Sequence, residues 1–204
     1  MIPMPPDSKP TIFINPAKCI GCRHCEIACA VEHSQSKDLF SAIFENPLPK
    51  PRIHVLPMGA YNVPMNCRHC ENAPCMEVCP TGAIFKDEDG AVLVDVDKCI
   101  GCKMCAIVCP FGIPEFDALT GVMFKCDMCP DRRAEGRLPA CVEACKTGAL
   151  MFGTIDEVVS QVRKETAKKI IKLKEGEYKE EYNGWDLFRS FQAEVIRINE
   201  GESK

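Results

Sequence analysis

Residues 99–110 carry the spacing C-x2-C-x2-C-x3-C-P, with Cys99, Cys102, Cys105 and Cys109 followed by Pro110. No other feature constrains the fold as strongly. Three thiolates on one tight loop face three irons of a cubane, while the fourth opens the next segment and serves a second cluster. The run recurs 80 residues earlier as Cys19, Cys22, Cys25 and Cys29. A lone C-x2-C pair is weak evidence; two copies of the full spacing are strong. All sixteen cysteines of the 204 residues fall into groups of four: 19, 22, 25, 29; 67, 70, 75, 79; 99, 102, 105, 109; and 126, 129, 141, 145. The pattern predicts four [4Fe–4S] clusters, about sixteen irons in all.

C-x2-C pairs in a chain without a secretory leader argue for metal ligation rather than disulfides. Residues 1–6 show no basic n-region, apolar h-region or twin arginine. No apolar run approaches the length of a membrane span. These features predict a cytoplasmic protein without a transmembrane segment, peripheral to a membrane only through its partners. Of the 46% of residues counted as hydrophobic, cysteine supplies about 8 points, leaving a share thin against the usual 45–50%. The clusters therefore complete the core, and the metal-free chain should fold poorly. The formal charge is −4; roughly two further negative charges per thiolate-ligated cubane take the loaded protein to about −12. Nucleic-acid binding does not fit that charge.

Along the chain, Thr11-Ile12-Phe13-Ile14 reads as a short strand entering an Asn15-Pro16 turn and the first cysteine loop. Residues 31–63 form an insertion, punctuated by prolines 47, 49, 51 and 57, in which residues 52–56 read as one edge strand. The second cysteine group has a middle gap two residues longer, yet ends in the same C-x3-C-P. Residues 81–86 and 91–95 then form a hairpin around Asp87-Glu88-Asp89-Gly90. The fourth group is irregular, but its exit, Thr147-Gly148-Ala149-Leu150-Met151-Phe152, echoes Thr81-Gly82-Ala83-Ile84-Phe85. A glycine there suits a backbone that turns close to a sulfur. The chain reads as an internal duplication, groups one and two followed by groups three and four. The predicted fold is α+β, a duplicated bacterial-type ferredoxin over residues 1–153, with a helical C-terminal extension over 154–204. That extension starts at a capping box, Thr154 to Glu157. Its first helix carries Ile155, Val158, Val159, Val162, Ala167, Ile170 and Ile171 as an apolar stripe able to pack on the core. Arg163, Lys164, Lys168, Lys169, Lys172 and Lys174 form the opposite, solvated face. A second amphipathic stretch gathers Trp185, Leu187, Phe188, Phe191 and Val195, as a clamp on a partner or a cover for the insertion.

A structural zinc scaffold is the alternative of another class. Closed zinc sites use two separated C-x2-C knuckles, and a C-x2-C-x2-C-x3-C run fits that geometry badly. Four complete cysteine sets leave no iron free for substrate, so the chain reads as an electron relay and not an enzyme. His24 and His69 lie inside cysteine loops; with cysteine filling each site, solvent contact or hydrogen bonding behind the ligands suits them better than ligation. Arg23, Arg68 and Lys103 read either as charges that raise a cluster's potential or as simply solvated, with solvation slightly favoured. Glu26, Glu71 and Glu143 show no paired-carboxylate pattern, and His33 and His54 carry no firm signal.

With all four groups placed, residues 11–153 resemble the four-cluster iron–sulfur subunits of molybdenum oxidoreductases, formate dehydrogenases and hydrogenase complexes. Within that family, residues 30–39, Ala-Val-Glu-His-Ser-Gln-Ser-Lys-Asp-Leu, and residues 42–45, Ala-Ile-Phe-Glu, look like the electron-transfer subunit of nickel carbon monoxide dehydrogenase. The resemblance implies that Cys19, Cys22, Cys25 and Cys145 hold one cluster, and Cys126, Cys129, Cys141 and Cys29 its neighbour. It further implies that Cys67, Cys70 and Cys75 join Cys109, while Cys99, Cys102 and Cys105 join Cys79. The implied donor is carbon monoxide dehydrogenase, or else a formate dehydrogenase or hydrogenase catalytic subunit. The implied acceptor is a hydrogenase or a flavin or NAD(P) oxidoreductase. Two departures stand out. Cys29 and Cys145 lack the following proline, and an amphipathic tail replaces the family's membrane-anchoring C-terminal helix.

Overall fold

The computed structural model describes residues 9–174, with side chains through 171. The chain closes on itself. Strand β1 (Thr11–Ile14), β-branched and aromatic, pairs antiparallel with β8 (Leu150–Gly153), near the far end of the cysteine-bearing region. Ile12 and Leu150 from this pair are buried. Helix α1 (His24–Glu32), which follows the first cysteine loop, packs against α6 (Ala140–Glu143), which carries Cys141. The outermost cysteine groups thus share one lobe. Its core joins Ile12, Ile53, Val55, Met128, Val142 and Leu150 with Cys19, Cys25, Cys29, Cys126 and Cys141.

The inner groups build a second lobe on the same plan. The hairpin β4 (Ile84–Lys86) and β5 (Val92–Val94) stands beside α3 (Pro74–Glu77), which packs on α4 (Met104–Val108). Its core joins Ala73, Ile84, Val92 and Met123 with Cys75 and Cys105. A further pair, β6 (Glu115–Phe116) with β7 (Met123–Phe124), leads into the fourth cysteine group. The sequence repeat and the lobes therefore differ. The two halves of the duplication do not each form a lobe, because β1 needs β8 to complete its ladder; the chain nests one lobe inside the other.

The insertion contains more structure than one edge strand. Helix α2 (Leu39–Ala42) is capped by Asp38, whose carboxylate accepts from Ser41 N at 2.9 Å. Strands β2 (His54–Met58) and β3 (Tyr61–Met65) form a hairpin in which Pro57 faces Asn62 and Val55 faces Pro64. A two-stranded ladder consists only of edges, so proline is tolerated in both strands.

The fourth group continues through α5 (Pro130–Ala134), and beyond β8 the helix α7 (Ile155–Lys174) begins as the sequence predicts. Thr154 Oγ1 accepts from Glu157 N at 3.3 Å, and Glu157 Oε2 accepts from Thr154 N at 2.8 Å, the reciprocal bonds of a capping box. The packing of the stripe differs from expectation. Val158 is buried, but Ile155, Val159, Val162, Ile170 and Ile171 stay exposed among the described residues. The helix is docked by its first turns and by the Lys18–Glu165 ion pair at 2.7 Å. The second amphipathic stretch, Trp185 to Val195, lies outside the described residues. No helix among the described residues is long and apolar enough to cross a membrane.

Candidate metal centres

Each cysteine loop is wound tightly by left-handed backbone. Arg23, His69, Lys103 and Met128, one in each loop, all have positive φ, as do Gly21 and Gly101. At Gly101 glycine itself is required: an added Cβ would lie 2.2 Å from the Gly121 carbonyl oxygen. Such winding turns successive thiols and backbone N–H groups to one side. Arg52 N donates to Cys29 Sγ at 3.2 Å, His69 N to Cys67 Sγ at 3.4 Å, and Met123 N to Cys99 Sγ at 3.4 Å. The repeated Thr-Gly exits behave alike. Thr81 Oγ1 lies 3.7 Å from Cys79 Sγ and Thr147 Oγ1 3.7 Å from Cys145 Sγ, with Gly82 and Gly148 both left-handed.

All sixteen cysteines of the chain are free thiols, and they converge in fours. Cys19, Cys22, Cys25 and Cys145 line one cavity; Cys67, Cys70, Cys75 and Cys109 a second; and Cys79, Cys99, Cys102 and Cys105 a third. Cys29, Cys126, Cys129 and Cys141 form the remaining set, in which the other three thiols each disfavour ionisation of Cys141. Four thiols around one cavity are the donor set a cubane requires, so the residues present fit four [4Fe–4S] clusters.

Neighbouring thiols also reveal the order of the sets. Across set boundaries, Cys75 disfavours ionisation of Cys105, Cys67 that of Cys126, and Cys25 that of Cys141. The sets therefore run in line: 79/99/102/105, then 67/70/75/109, then 29/126/129/141, then 19/22/25/145. Cys102 at one end and Cys22 at the other are exposed, whereas the third set is buried throughout.

Burial sets the electrostatics. It pushes Cys126 up to about 12 and Cys25, Cys105 and Cys129 up to about 11, and it raises Cys29 and Cys141 well above the ordinary thiol value. At Cys79 burial is outweighed by the Ile84 N–H, the Thr81 hydroxyl and amide and the Ala83 N–H, which together bring it below that value. Asp127, between Cys126 and Met128, is half-buried. Against that desolvation, the His33 hydrogen bond and the Arg52 charge hold its carboxyl well below the usual carboxylate range. His33 Nε2 lies 3.2 Å from Asp127, its Nδ1 lies 2.7 Å from the Cys29 carbonyl oxygen, and Arg52 pairs with the same carboxylate.

The other residues singled out in the sequence behave variously. His24 lines the cavity of the first group, whereas His69 is buried, with Nδ1 accepting from Val92 N at 2.8 Å. Arg68 and Lys103 are less simply solvated than expected, standing 5.8 Å from the Phe111 ring and 4.0 Å from the Phe116 ring. Arg23 is exposed, 3.9 Å from Glu26. Glu26 accepts from Val55 N, Glu143 pairs with Arg132 and Arg137, and the Glu71 carbonyl accepts from Lys86. His54 pairs with Glu115 at 2.5 Å. Lys125, Arg52 and His33 escaped the sequence reading. The two-residue period from buried Met123 to Lys125 was a usable signal for the lysine; nothing local marks Arg52 or His33 as neighbours of Asp127.

Residues 58–155 match the family described as "4Fe-4S dicluster domain". Relatives extend the match. The B subunit of the anaerobic dimethyl sulfoxide reductase of Escherichia coli (strain K12) is 42% identical over 160 residues, covering 72% of this chain and 74% of its own length. This chain belongs to the 4Fe-4S dicluster family of electron-transfer subunits. "Thiosulfate reductase electron transfer subunit PhsB" of Salmonella typhi is 43% identical over 141 residues, 69% of this chain and 73% of that one. An "Iron-sulfur protein" of Rhodospirillum rubrum is 42% identical over 182 residues, 83% of this chain and 95% of that one. Membership in the dicluster family bears out the iron–sulfur reading against the zinc scaffold, and the relay against an enzyme. It does not single out carbon monoxide dehydrogenase, which none of these names contains.

Proposed function

We propose that the four thiol sets are the ligand sets of four clusters, as grouped above, and that the chain relays single electrons along them between a catalytic oxidoreductase subunit and a second redox partner. The observation that carries this reading is the line of sets, with an exposed thiol at each end, Cys102 and Cys22, and a wholly buried set, Cys29, Cys126, Cys129 and Cys141, between them. Each cluster supplies a one-electron couple when bound; the protein holds the four in sequence, shields the set of Cys29, Cys126, Cys129 and Cys141 from water and offers an approach at Cys102 and at Cys22. The cluster-bearing domain runs to residue 153, where β8 ends, and the extension starts at residue 154, immediately before α7.

The partner that the relatives favour is the catalytic subunit of a molybdoenzyme reductase acting on a small oxidised substrate, of the dimethyl sulfoxide or thiosulfate reductase type. Carbon monoxide dehydrogenase is the second reading. Residues 30–45 support it. Reduced, anaerobic protein mixed with each catalytic subunit separates the two. Re-oxidation on adding dimethyl sulfoxide or thiosulfate supports the reductase. Bleaching of oxidised protein by carbon monoxide in the presence of its dehydrogenase, with no response to the reductase substrates, contradicts it.

A further inference from the structure

The two central thiol sets meet at a buried cation. Lys125 is 3% exposed; it follows β7 and directly precedes Cys126. Its Nζ donates to the Val92 carbonyl oxygen and to the Cys126 carbonyl oxygen, the latter at 3.1 Å. The same residue lines the cavity of Cys67, Cys70, Cys75 and Cys109. Among the described residues no carboxylate lies within 4.0 Å of this ammonium. The other well-shielded cations differ: Arg52 pairs with Asp127, Arg132 with Glu32 at 2.9 Å, and Arg133 with Asp89 at 2.5 Å.

A buried charge without a counter-charge is strongly disfavoured. Two carbonyl oxygens solvate the ammonium but do not neutralise it. The groups that can are the thiolates around it: Lys125 lines the cavity of Cys67, Cys70, Cys75 and Cys109, and its Nζ bonds the backbone of Cys126, so it stands against members of both central sets. His69 does not share the task. Its Nδ1 accepts from Val92 N at 2.8 Å, so the proton of the neutral ring sits on Nε2, and the imidazole adds no charge.

We propose that Lys125 is the counter-charge shared by the two central clusters and that it raises the reduction potential of both relative to the two end clusters. Reduction adds an electron to an already negative centre, and a fixed positive charge in a low-dielectric site favours the reduced form. The relay then has an electron reservoir in its middle, away from the exposed thiols Cys102 and Cys22 at its ends. This inference rests on the grouping of cysteines proposed above.

The test is an anaerobic potentiometric titration of the loaded protein followed by electron paramagnetic resonance, with signals assigned through single Cys→Ser variants of each set. Lys125→Met should retain about sixteen irons and make both central clusters at least tenfold harder to reduce, about 59 mV for one electron. The end clusters should move by less than half as much, and Lys125→Arg should restore the central potentials. Lys169→Met, the same charge change on the exposed face of α7, should move none. Unchanged potentials in the iron-replete Met variant, or end clusters moving as far as the central ones, overturn the proposal. Should Lys125→Met lose the central clusters, Lys125→Gln and Lys125→Arg decide: recovery by Arg alone supports the charge, and recovery by Gln overturns it. Failure of the cysteine grouping shows separately, in the Cys→Ser assignments made with Lys125 intact.

Discussion

The set of Cys29, Cys126, Cys129 and Cys141 and the set of Cys79, Cys99, Cys102 and Cys105 have the same donors in opposite surroundings. In the first, every thiol is buried and burial pushes each one upward, Cys126 to about 12. In the second, Cys102 is exposed and Cys79 lies below the ordinary thiol value, held by hydrogen bonds from its own loop. The buried set therefore leans on fixed partners from distant segments: Arg52 N on Cys29, and Asp127 pinned by Arg52 and His33. The end set is open at Cys102, although Cys105 is buried and Met123 N of β7 reaches Cys99 Sγ at 3.4 Å. An interior site optimised for insulation and an end site optimised for access is what a relay through a protein needs.

The largest expected effect separates the two sets directly. Cys141→Ser should empty the buried set, taking the iron content from about sixteen to about twelve, and should lower the unfolding temperature sharply because that cluster fills the outer core. Cys102→Ser, with solvent at hand to complete ligation, should keep nearly all the iron and alter one spectrum. Equal iron loss in both would break the comparison. Next, Gly101→Ala drives a Cβ into the Gly121 carbonyl from a left-handed position, whereas a Cβ at Gly82, also left-handed, meets nothing within 4 Å. The second change should cost about 1 kcal/mol and the first roughly 1–2 kcal/mol more, read from thermal or denaturant unfolding of the loaded protein.

A smaller effect appears in acid. Burial, and then the Lys125 charge, push His69 down to about 3. The folded protein keeps this ring neutral while the unfolded chain binds a proton near pH 6.5. Stability from this group is therefore full above about 6.5 and is lost progressively as pH falls toward 3. His69→Gln, which keeps an acceptor for Val92 N, should flatten that part of a plot of unfolding temperature against pH; an unchanged slope would refute the assignment. The smallest effect lies outside both lobes. Thr154→Ala removes half of the capping box and should cost about 1 kcal/mol locally, seen as faster amide exchange in α7 with all four clusters unchanged.

Much of this was legible in the sequence because thiol spacing is a short-range signal. Four loops, the 81–95 hairpin, the strand at 11–14 and the start of α7 all follow from residues within a few positions of one another. What escaped depends on distant partners. The β2/β3 hairpin was obscured by Pro57 and Pro64, which two edge strands tolerate. The nesting of lobes depends on β1 finding β8 across most of the chain, so a repeat in sequence did not translate into a repeat in space. Lys125, Arg52 and His33 matter through groups brought to them by folding. The apolar stripe of α7 was correctly periodic, yet periodicity says which face is apolar and not how much of it is covered.

The central claim, four clusters in line with ligands exchanged between sequence groups, is tested most directly by anaerobic crystals of the loaded protein diffracting at the iron absorption edge. The account predicts four cubanes in a single file, with Cys109 on the cluster of Cys67, Cys70 and Cys75, and Cys145 on that of Cys19, Cys22 and Cys25. Four clusters each held by four cysteines consecutive in sequence would contradict it.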